Sequence, residues 1–535
     1  MTEPRFVEVA VDAPGVPGGR TFSYRVPPSL ADIEPGEAVM VEFGRRRAVG
    51  VVLADGVEPP VEAKPLLARV RSEGALLGPL GRQLAVHVSE HYLAPPGRVV
   101  RAMLPPGTLE RIALVAVAGS ADDLVLAPEP LLAAVLAGGD AGVPVDDLPP
   151  ASSRATLLRS LRALEAEGAL RLEWRVVRAT VRPKQRRWAV LTEDGREAAV
   201  TLAAGDSPPG PRLGPRQRAL LAELSEPGHE GAEVAARLAE RHGASAVSGL
   251  AKRGLLELEV RTEARRPLAG RAQPSRGSRP VGSELDAEQT AVVRVVSAAI
   301  EAGRHETVLL DGDTASGKTA VYADAIAAAL TAGRGALVLV PEIALATPLI
   351  DRLRHDLGED VAMLHSAMSD GERADEWRRI RGGEARVLVG TRVAALSPPE
   401  PLGLVVVDEE HDAAYKSDRT PRIQARDTAV ALGQLAQVPV ILGSATPDIV
   451  SLGRARAGQA RHLRLRGRRS GAPVTVEIAD MREELAEGNR GLLSASLAAA
   501  LESLDTAAGD RAILVINRRG AASVVLCRDC GYVQI

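Results

Sequence analysis

The stretch Val308-Leu309-Leu310-Asp311-Gly312-Asp313-Thr314-Ala315-Ser316-Gly317-Lys318-Thr319 joins a short apolar run to the pattern GxxxxGK[ST]. Three consecutive apolar residues read as a buried strand, and the segment from Tyr322 to Leu330 reads as a helix, so the glycine-bounded loop sits between a strand and a helix. In that setting Gly312 and Gly317 frame a loop whose backbone N–H groups, with the helix N-terminus, cradle phosphates. Lys318 would reach the β and γ oxygens, and Thr319 would coordinate Mg²⁺. The implied ligand is ATP with Mg²⁺. A chance match in a Gly-rich turn is the alternative, and the neighbouring motifs bear on it.

Outward from the loop, apolar runs at 307–311, 335–340, 385–390, 403–408 and 439–443 alternate with helical segments. That alternation predicts a parallel sheet with crossover helices, a RecA-like lobe over 285–472. Asp408-Glu409-Glu410-His411 ends the run Val405-Val406-Val407, which places its carboxylates at the carboxyl edge of the sheet, beside the phosphates. Asp408 would hold Mg²⁺, and Glu409 would orient or deprotonate the attacking water. An acidic helix N-terminus would account for one carboxylate. Gly443-Ser444-Ala445-Thr446-Pro447 follows another strand and supplies hydroxyls that could link nucleotide state to movement between lobes; alone it would read as an ordinary hydroxyl-capped turn. The three motifs in this order, on successive strands, argue against coincidence.

The 535 residues exceed what one core holds, and 45% apolar with 25% charged residues describes a folded, multidomain α/β chain. A net charge of −3 supplies no global basic field, so a nucleic-acid surface has to be local. The N-terminus lacks the pattern of a signal peptide and no apolar run approaches a membrane span, so a cytoplasmic location is expected, with no membrane partner. Lysine stands at only five positions, 64, 184, 252, 318 and 416, within 66 basic residues. A lysine here therefore marks a place where a compact ammonium is wanted. Cys527 and Cys530 are the two cysteines, a CxxC pair that suggests a metal ligand or a redox couple.

Val-rich runs separated by Gly/Pro turns predict a small β-rich domain over 1–105, closed by a helix through Gln83 to Tyr92. Winged-helix-like units are expected at 106–198 and 199–260, each with helices, a glycine and a terminal strand; such units serve DNA binding and packing alike. Residues 261–284, rich in Arg, Pro, Gly and Ser, read as a basic flexible linker. A second α/β lobe is expected to begin at 473–526, with a strand at 512–516, and 527–535 carries the CxxC pair.

Further segments carry a resemblance: Leu339 to Leu345, Leu364-His365-Ser366, Val389-Gly390-Thr391-Arg392, Asp408 to Asp412 with Tyr415-Lys416, Ala425-Arg426-Asp427 and Asn517-Arg518-Arg519-Gly520, and near the N-terminus Phe22 to Pro27, Phe43-Gly44 and Tyr92 to Pro95. Taken together the chain resembles the PriA family of primosomal replication-restart proteins, superfamily-two helicases, as an actinobacterial-like member cut short at its C-terminus. The resemblance implies an ATP-dependent 3′-to-5′ DNA helicase fold and a function in recognising stalled or abandoned replication forks and reloading the replicative helicase. It implies that 1–105 binds a DNA 3′ end, with Phe22 stacking on the terminal base, Ser23 where relatives carry an aspartate, Gly44 allowing close approach and Lys64 contacting phosphate or sugar. Gln289, with Leu285, would contact adenine. Cys527 and Cys530 would hold zinc as half of a four-ligand site. Implied partners are forked and single-stranded DNA, primosome proteins, the replicative helicase or its loader, and single-stranded-DNA-binding protein, met by a monomer at nucleoid-associated forks. Departures from the family pattern are Asp313 and Ala320 in the phosphate loop and Ile423 and Gln424 in the loop after DEEH. With the final motor motifs not in the sequence, ATP binding is expected and unwinding by this chain is not. The competing reading is an ATP-independent fork-DNA-binding scaffold with a vestigial motor.

Overall fold

The computed structural model describes residues 4–58, 63–71, 74–119, 129–149, 153–177, 184–226, 231–263, 265, 267, 285–314, 316–343, 347–357, 360–466, 475–515, 525–526 and 533–534. The chain forms two compact units, Met1–Arg469 and Ser470–Ile535. The first begins with strands β1 (Phe6–Asp12), β2 (Phe22–Arg25), β3 (Ala38–Phe43), β4 (Arg46–Asp55) and β5 (Ala68–Arg69), an antiparallel sheet ordered β2-β1-β4-β3-β5. Strand β4 is central and buried on both faces: Ala48 and Val52 join Val7, Val9, Val39 and Tyr24 in one core, while Val49, Val51 and Leu53 point to helices α1 (Pro79–His91) and α2 (Pro96–Met103). The period-two alternation of the Val-rich runs builds both cores.

Two small three-stranded units follow. The first contains β6 (Arg111–Ala118), α3 (Glu129–Ala137), β7 (Val143–Pro144), α4 (Arg154–Ala166) and β8 (Leu170–Val177), with β6 between β7 and β8. Its second helix is capped by the Ser153 hydroxyl, which accepts from Thr156 N–H. The second contains β9 (Lys184–Leu191), α5 (Glu193–Ala203), α6 (Pro215–Ser225), β10 (Ala232–Val234), α7 (Ala235–His242), α8 (Ala244–Lys252) and β11 (Leu256–Glu263), with β9 central. In each, helices pack with a three-stranded antiparallel sheet. A division at 198/199 would cut α5: Ala189, Leu191, Ala198 and Ala199 share one core with Leu220, Leu238 and Leu250, so the second unit starts at Lys184. Most of 261–284 lies outside the described residues.

The helicase lobe runs α9 (Ala287–Ala302), β12 (Glu306–Gly312), α10 (Lys318–Thr331), β13 (Gly335–Leu339), α11 (Thr347–Leu357), β14 (Val361–Leu364), α12 (Asp370–Arg381), β15 (Val387–Gly390), β16 (Leu402–Asp408), α13 (Ala425–Ala436), β17 (Pro439–Ser444), α14 (Ile449–Arg456) and β18 (Arg461–Leu465). Its seven strands are parallel, in the order β14-β15-β13-β16-β17-β12-β18. Both faces are covered: Val308, Leu310, Leu404 and Val406 pack toward α9 and α10, and Leu309, Val405, Val407 and Leu442 toward α13. Continuous apolar runs are what two covered faces require.

The core beneath α13 also contains Leu84, Val88, Val99 and Met103 of α1 and α2. The N-terminal domain is therefore welded to the helicase lobe by shared apolar packing. The Glu400 carboxylate caps α1, accepting from Leu80 N–H (3.3 Å) and Gly81 N–H (3.1 Å), where it meets the positive end of the helix.

The second unit contains α15 (Met481–Ala486), α16 (Ala495–Glu502) and a pair of two-residue antiparallel strands, β19 (Val525–Leu526) and β20 (Val533–Gln534). The strand expected at 512–516 does not form over its described part, 512–515. Ile513 and Val515 are 89% and 84% exposed. A strand exists only as a member of a ladder, and no described residue pairs with this segment. Among the described residues no helix is long and apolar enough to cross a membrane.

Candidate functional site

β17 lies between β16 and β12, so the three motifs meet at one edge of the sheet: Asp311 pairs with Ser444, and Asp408 with Gly443. The phosphate loop closes on α10 with Gly317 at φ 89°, a left-handed conformation suited to glycine. Lys318 is buried, and its ammonium donates to the carbonyl oxygens of Gly312 (2.7 Å) and Asp313 (3.4 Å). Among the described residues its hydrogen-bond partners are these neutral carbonyls of its own loop, which phosphate oxygens can replace. Thr319 is half-buried at the first turn of α10, and Asp313 is exposed. Gln289 is fully buried at the third position of α9. Its amide oxygen accepts from Asp286 N–H (3.1 Å), completing a capping box, and its amide nitrogen donates to Ser316 O (3.0 Å). It thus ties α9 to the phosphate loop.

The three carboxylates of the acidic motif divide. Asp408 accepts a hydrogen bond from the Tyr322 hydroxyl at 2.9 Å. Burial pushes the Asp408 carboxyl above its ordinary range; the Tyr322 hydrogen bond pulls it back, the Glu409 charge raises it, and the Lys318 charge lowers it. Burial, and then the Asp408 charge, likewise push the Tyr322 phenol well above its usual range. Glu409 stands at φ 46° with a partly exposed carboxylate. Glu410 is fully buried and turns into the protein: it accepts from Arg426 (3.1 Å), Ser451 (2.8 Å) and Asp448 N–H (2.7 Å). It is a structural anchor for α13 and α14. His411 Nδ1 is hydrogen-bonded to Ser444 Oγ at 2.7 Å and Nε2 lies 3.4 Å from Thr446 Oγ1, so the acidic and hydroxyl motifs touch directly.

In the N-terminal domain the Phe22 ring meets Phe43 edge-on, centroids 5.0 Å apart at 72°, with Arg20 5.9 Å above it. Gly44 (φ 61°) is at the turn after β3, and the Lys64 ammonium donates to Gly44 O (3.1 Å) and to Glu42 (2.5 Å). Phe22, Gly44 and Lys64 are brought together through Phe43 and Glu42. Strand alternation turns Ser23 to the face opposite Phe22 and Tyr24. Cys527 and Cys530 lie outside the described residues.

Comparison with known proteins agrees with this layout. Residues 8–105 match the family described as 3′DNA-binding domain (3′BD), and residues 289–453 match the DEAD/DEAH box helicase family. The chain is 32% identical over 542 residues to the replication restart protein PriA of Bacillus subtilis (strain 168), covering 99% of this chain and 64% of that protein. It is 33% identical over 551 residues to PriA of Synechocystis sp., covering 98% of this chain and 62% of that protein. This is a PriA-family chain. It spans somewhat less than two thirds of the length of those two PriA proteins.

Residues to which motif reading gave no role complete the site. Tyr322 and Tyr415 lock the end of β16, the first through the Asp408 carboxylate and the second by donating to Asp408 O at 2.5 Å. Tyrosine occurs only five times in the chain, so two of them falling on the phosphate-loop helix and just after DEEH was the available signal. Ile423 is core, and Gln424 opens α13 with its N–H donated to the Tyr92 hydroxyl at 3.1 Å.

Proposed function

We propose that this chain is a replication-restart protein that recognises stalled or abandoned forks by a DNA 3′ end, binds ATP with Mg²⁺ at the edge of the helicase sheet, and promotes primosome assembly and reloading of the replicative helicase. The observation that carries the reading is the union of two sites on one body: a 3′BD-type domain and a helicase lobe sharing a single apolar core through α1, α2 and α13.

At the nucleotide edge, Lys318 would leave the Gly312 carbonyl for the phosphates, with the N-terminus of α10 adding backbone N–H groups. Asp408 and Thr319 would hold the magnesium ion, which when bound neutralises phosphate charge. A carboxylate whose burial already disfavours its own ionisation suits a cation neighbour. Glu409, partly exposed, would orient water. In the N-terminal domain Phe22 would stack on the terminal base and Lys64 would exchange its exposed pairing with Glu42 for the DNA backbone. Partners are forked and single-stranded DNA, primosome proteins, the replicative helicase or its loader, and single-stranded-DNA-binding protein.

Two titrations on the full chain test the reading. A fluorescent ATP analogue with Mg²⁺ should bind the wild type and lose binding in Lys318→Ala. A fork ending in a 3′-hydroxyl should bind more tightly than one ending in a 3′-phosphate, with the preference reduced in Phe22→Ala and Lys64→Ala. Unchanged nucleotide affinity in the first, or equal fork affinities throughout the second, would remove the corresponding site.

A further inference from the structure

A cleft of about 820 Å³ lies between the N-terminal sheet and the first winged-helix unit. One wall is the turn from β3 into β4, where Arg45, Arg46 and Arg47 are all exposed. Arg98 and Arg101 of α2 also line it, and Trp174 of β8 faces in from the winged-helix side with 62% of its surface exposed. The acidic residues lining the cleft are Asp12 and Asp146. Asp12 is bound by Arg101 and lies 4.0 Å from Arg98. Among the described residues, none of Arg45, Arg46 and Arg47 has a carboxylate partner. Three adjacent guanidiniums repel one another unless a polyanion lies among them.

Trp174 is the second, independent observation. It is the largest side-chain type, on a regular strand opposite Leu114, and folding leaves it mostly uncovered. Unpaired arginines facing an exposed indole form the combination that holds single-stranded nucleic acid, the guanidiniums tracking phosphates and the indole offering a face to a base. A duplex keeps its bases stacked and presents no such face. The cleft is also continuous with the 3′-end site proposed above, because Phe43 lines it and meets Phe22 edge-on, and Gly44 precedes Arg45.

We infer that this cleft is a second DNA contact, holding a single-stranded segment with Arg45, Arg46, Arg47 and Arg98 on its phosphates and Trp174 stacked on a base. The inference shares with the proposed function only the premise that the chain binds DNA, and its test avoids the 3′-end pocket.

The probe is a labelled single-stranded oligothymidylate ending in a 3′-phosphate, titrated into the full chain. The variant Arg45→Ala/Arg46→Ala/Arg47→Ala should bind at least tenfold more weakly, and its log K against log salt slope should be shallower by about 2, at roughly 0.7 per phosphate contact on a single strand. Trp174→Ala should weaken binding by about tenfold, Trp174→Phe should retain most of the affinity, and DNA-induced quenching of tryptophan emission should fall in both. All four sites are exposed, so matching thermal melts will show that the fold is kept. Unchanged affinity in the triple variant and in Trp174→Ala would overturn the inference. So would a blunt hairpin duplex competing as well as the oligothymidylate. Loss of discrimination between 3′-hydroxyl and 3′-phosphate ends, with these results intact, would sink the 3′-end reading and leave the cleft standing.

Discussion

A methyl group placed on Gly443 would lie 1.7 Å from the Tyr322 hydroxyl and 2.9 Å from its Cζ. The glycine before Ser444 is therefore there to let a tyrosine cross the end of β17 and reach Asp408. Gly443→Ala should cost about 3 kcal/mol in urea unfolding, and adding Tyr322→Phe should recover part of that loss; additive losses in the double variant would count against the contact. The acidic motif gives a second test at this scale. Glu410→Ala leaves Arg426, only 7% exposed, without its deepest partner, and should destabilise by about 3 kcal/mol. Glu409→Gln, at a partly exposed carboxylate, should stay within about 0.5 kcal/mol of wild type. Similar losses in both would refute the division of roles. Sequence reading treated the three carboxylates as one functional cluster, because spacing along a strand end does not say which side chain turns into the protein.

At the scale of elements, the strands at 307–311, 335–340, 385–390, 403–408 and 439–443 were legible because burial on both faces writes uninterrupted apolar runs. Strand β14, four residues long, and edge strand β18, with Arg461, His462 and Arg464 in it, lack that signature and went unread. The segment 512–515 carries the signature without a ladder partner, so composition alone overstated it. The helices declare themselves by their caps: Asp286 with Gln289 and Ser369 with Glu372 both form capping boxes. A clasp between elements yields a pH prediction. Arg5 donates three hydrogen bonds to Asp55, at 2.9, 3.1 and 2.6 Å, and two more, each 2.6 Å, to Ala31 O and Ile33 O, joining the approach to β1 with the end of β4. The Arg5 hydrogen bond holds the Asp55 carboxyl below its ordinary value. A lowered folded value means the stabilisation is fully present above the unfolded carboxylate pKa of about 3.9 and is lost as pH falls through the folded value. With both side chains about one-third exposed, Asp55→Asn should cost no more than about 1 kcal/mol at neutral pH, and the difference from wild type should vanish in acid. A loss that persists below the folded value would show that the charge is not what matters.

Across the whole first unit, the joint between the DNA-binding domain and the helicase lobe was not legible, because the residues that make it are hundreds of positions apart and each half reads as a domain by itself. The joint has two parts. One is apolar, with Leu84, Val88, Val99 and Met103 in the same core as Leu396, Leu402 and Leu432. The other is polar and reaches the loop that follows the acidic motif: the Tyr92 hydroxyl accepts from Gln424 N–H at 3.1 Å, lies 3.3 Å from Gln424 O, and its ring has the Lys416 ammonium 5.7 Å from the centroid. That loop is closed by a bridge between Lys416 and Gln424 and by Lys416 donating to Arg422 O at 2.7 Å. Tyr92 is therefore the point where displacement of the N-terminal domain would be felt eight residues after Asp408, at the same end of β16 that holds Asp408 and Glu409. Tyr92→Phe removes the acceptor of a part-buried N–H and should cost about 1 kcal/mol, while keeping the ring in place over Lys416. Its specific signature is local: backbone hydrogen exchange over 416–424 should quicken in Tyr92→Phe, with the strands of the helicase sheet protected as in wild type. Equal exchange of this loop in the two proteins would mean that the hydroxyl carries no load at the joint. Because the apolar part remains in that variant, the N-terminal domain and helicase lobe should still melt in one transition; two separated transitions would show that the shared core does not bind them into a single cooperative unit.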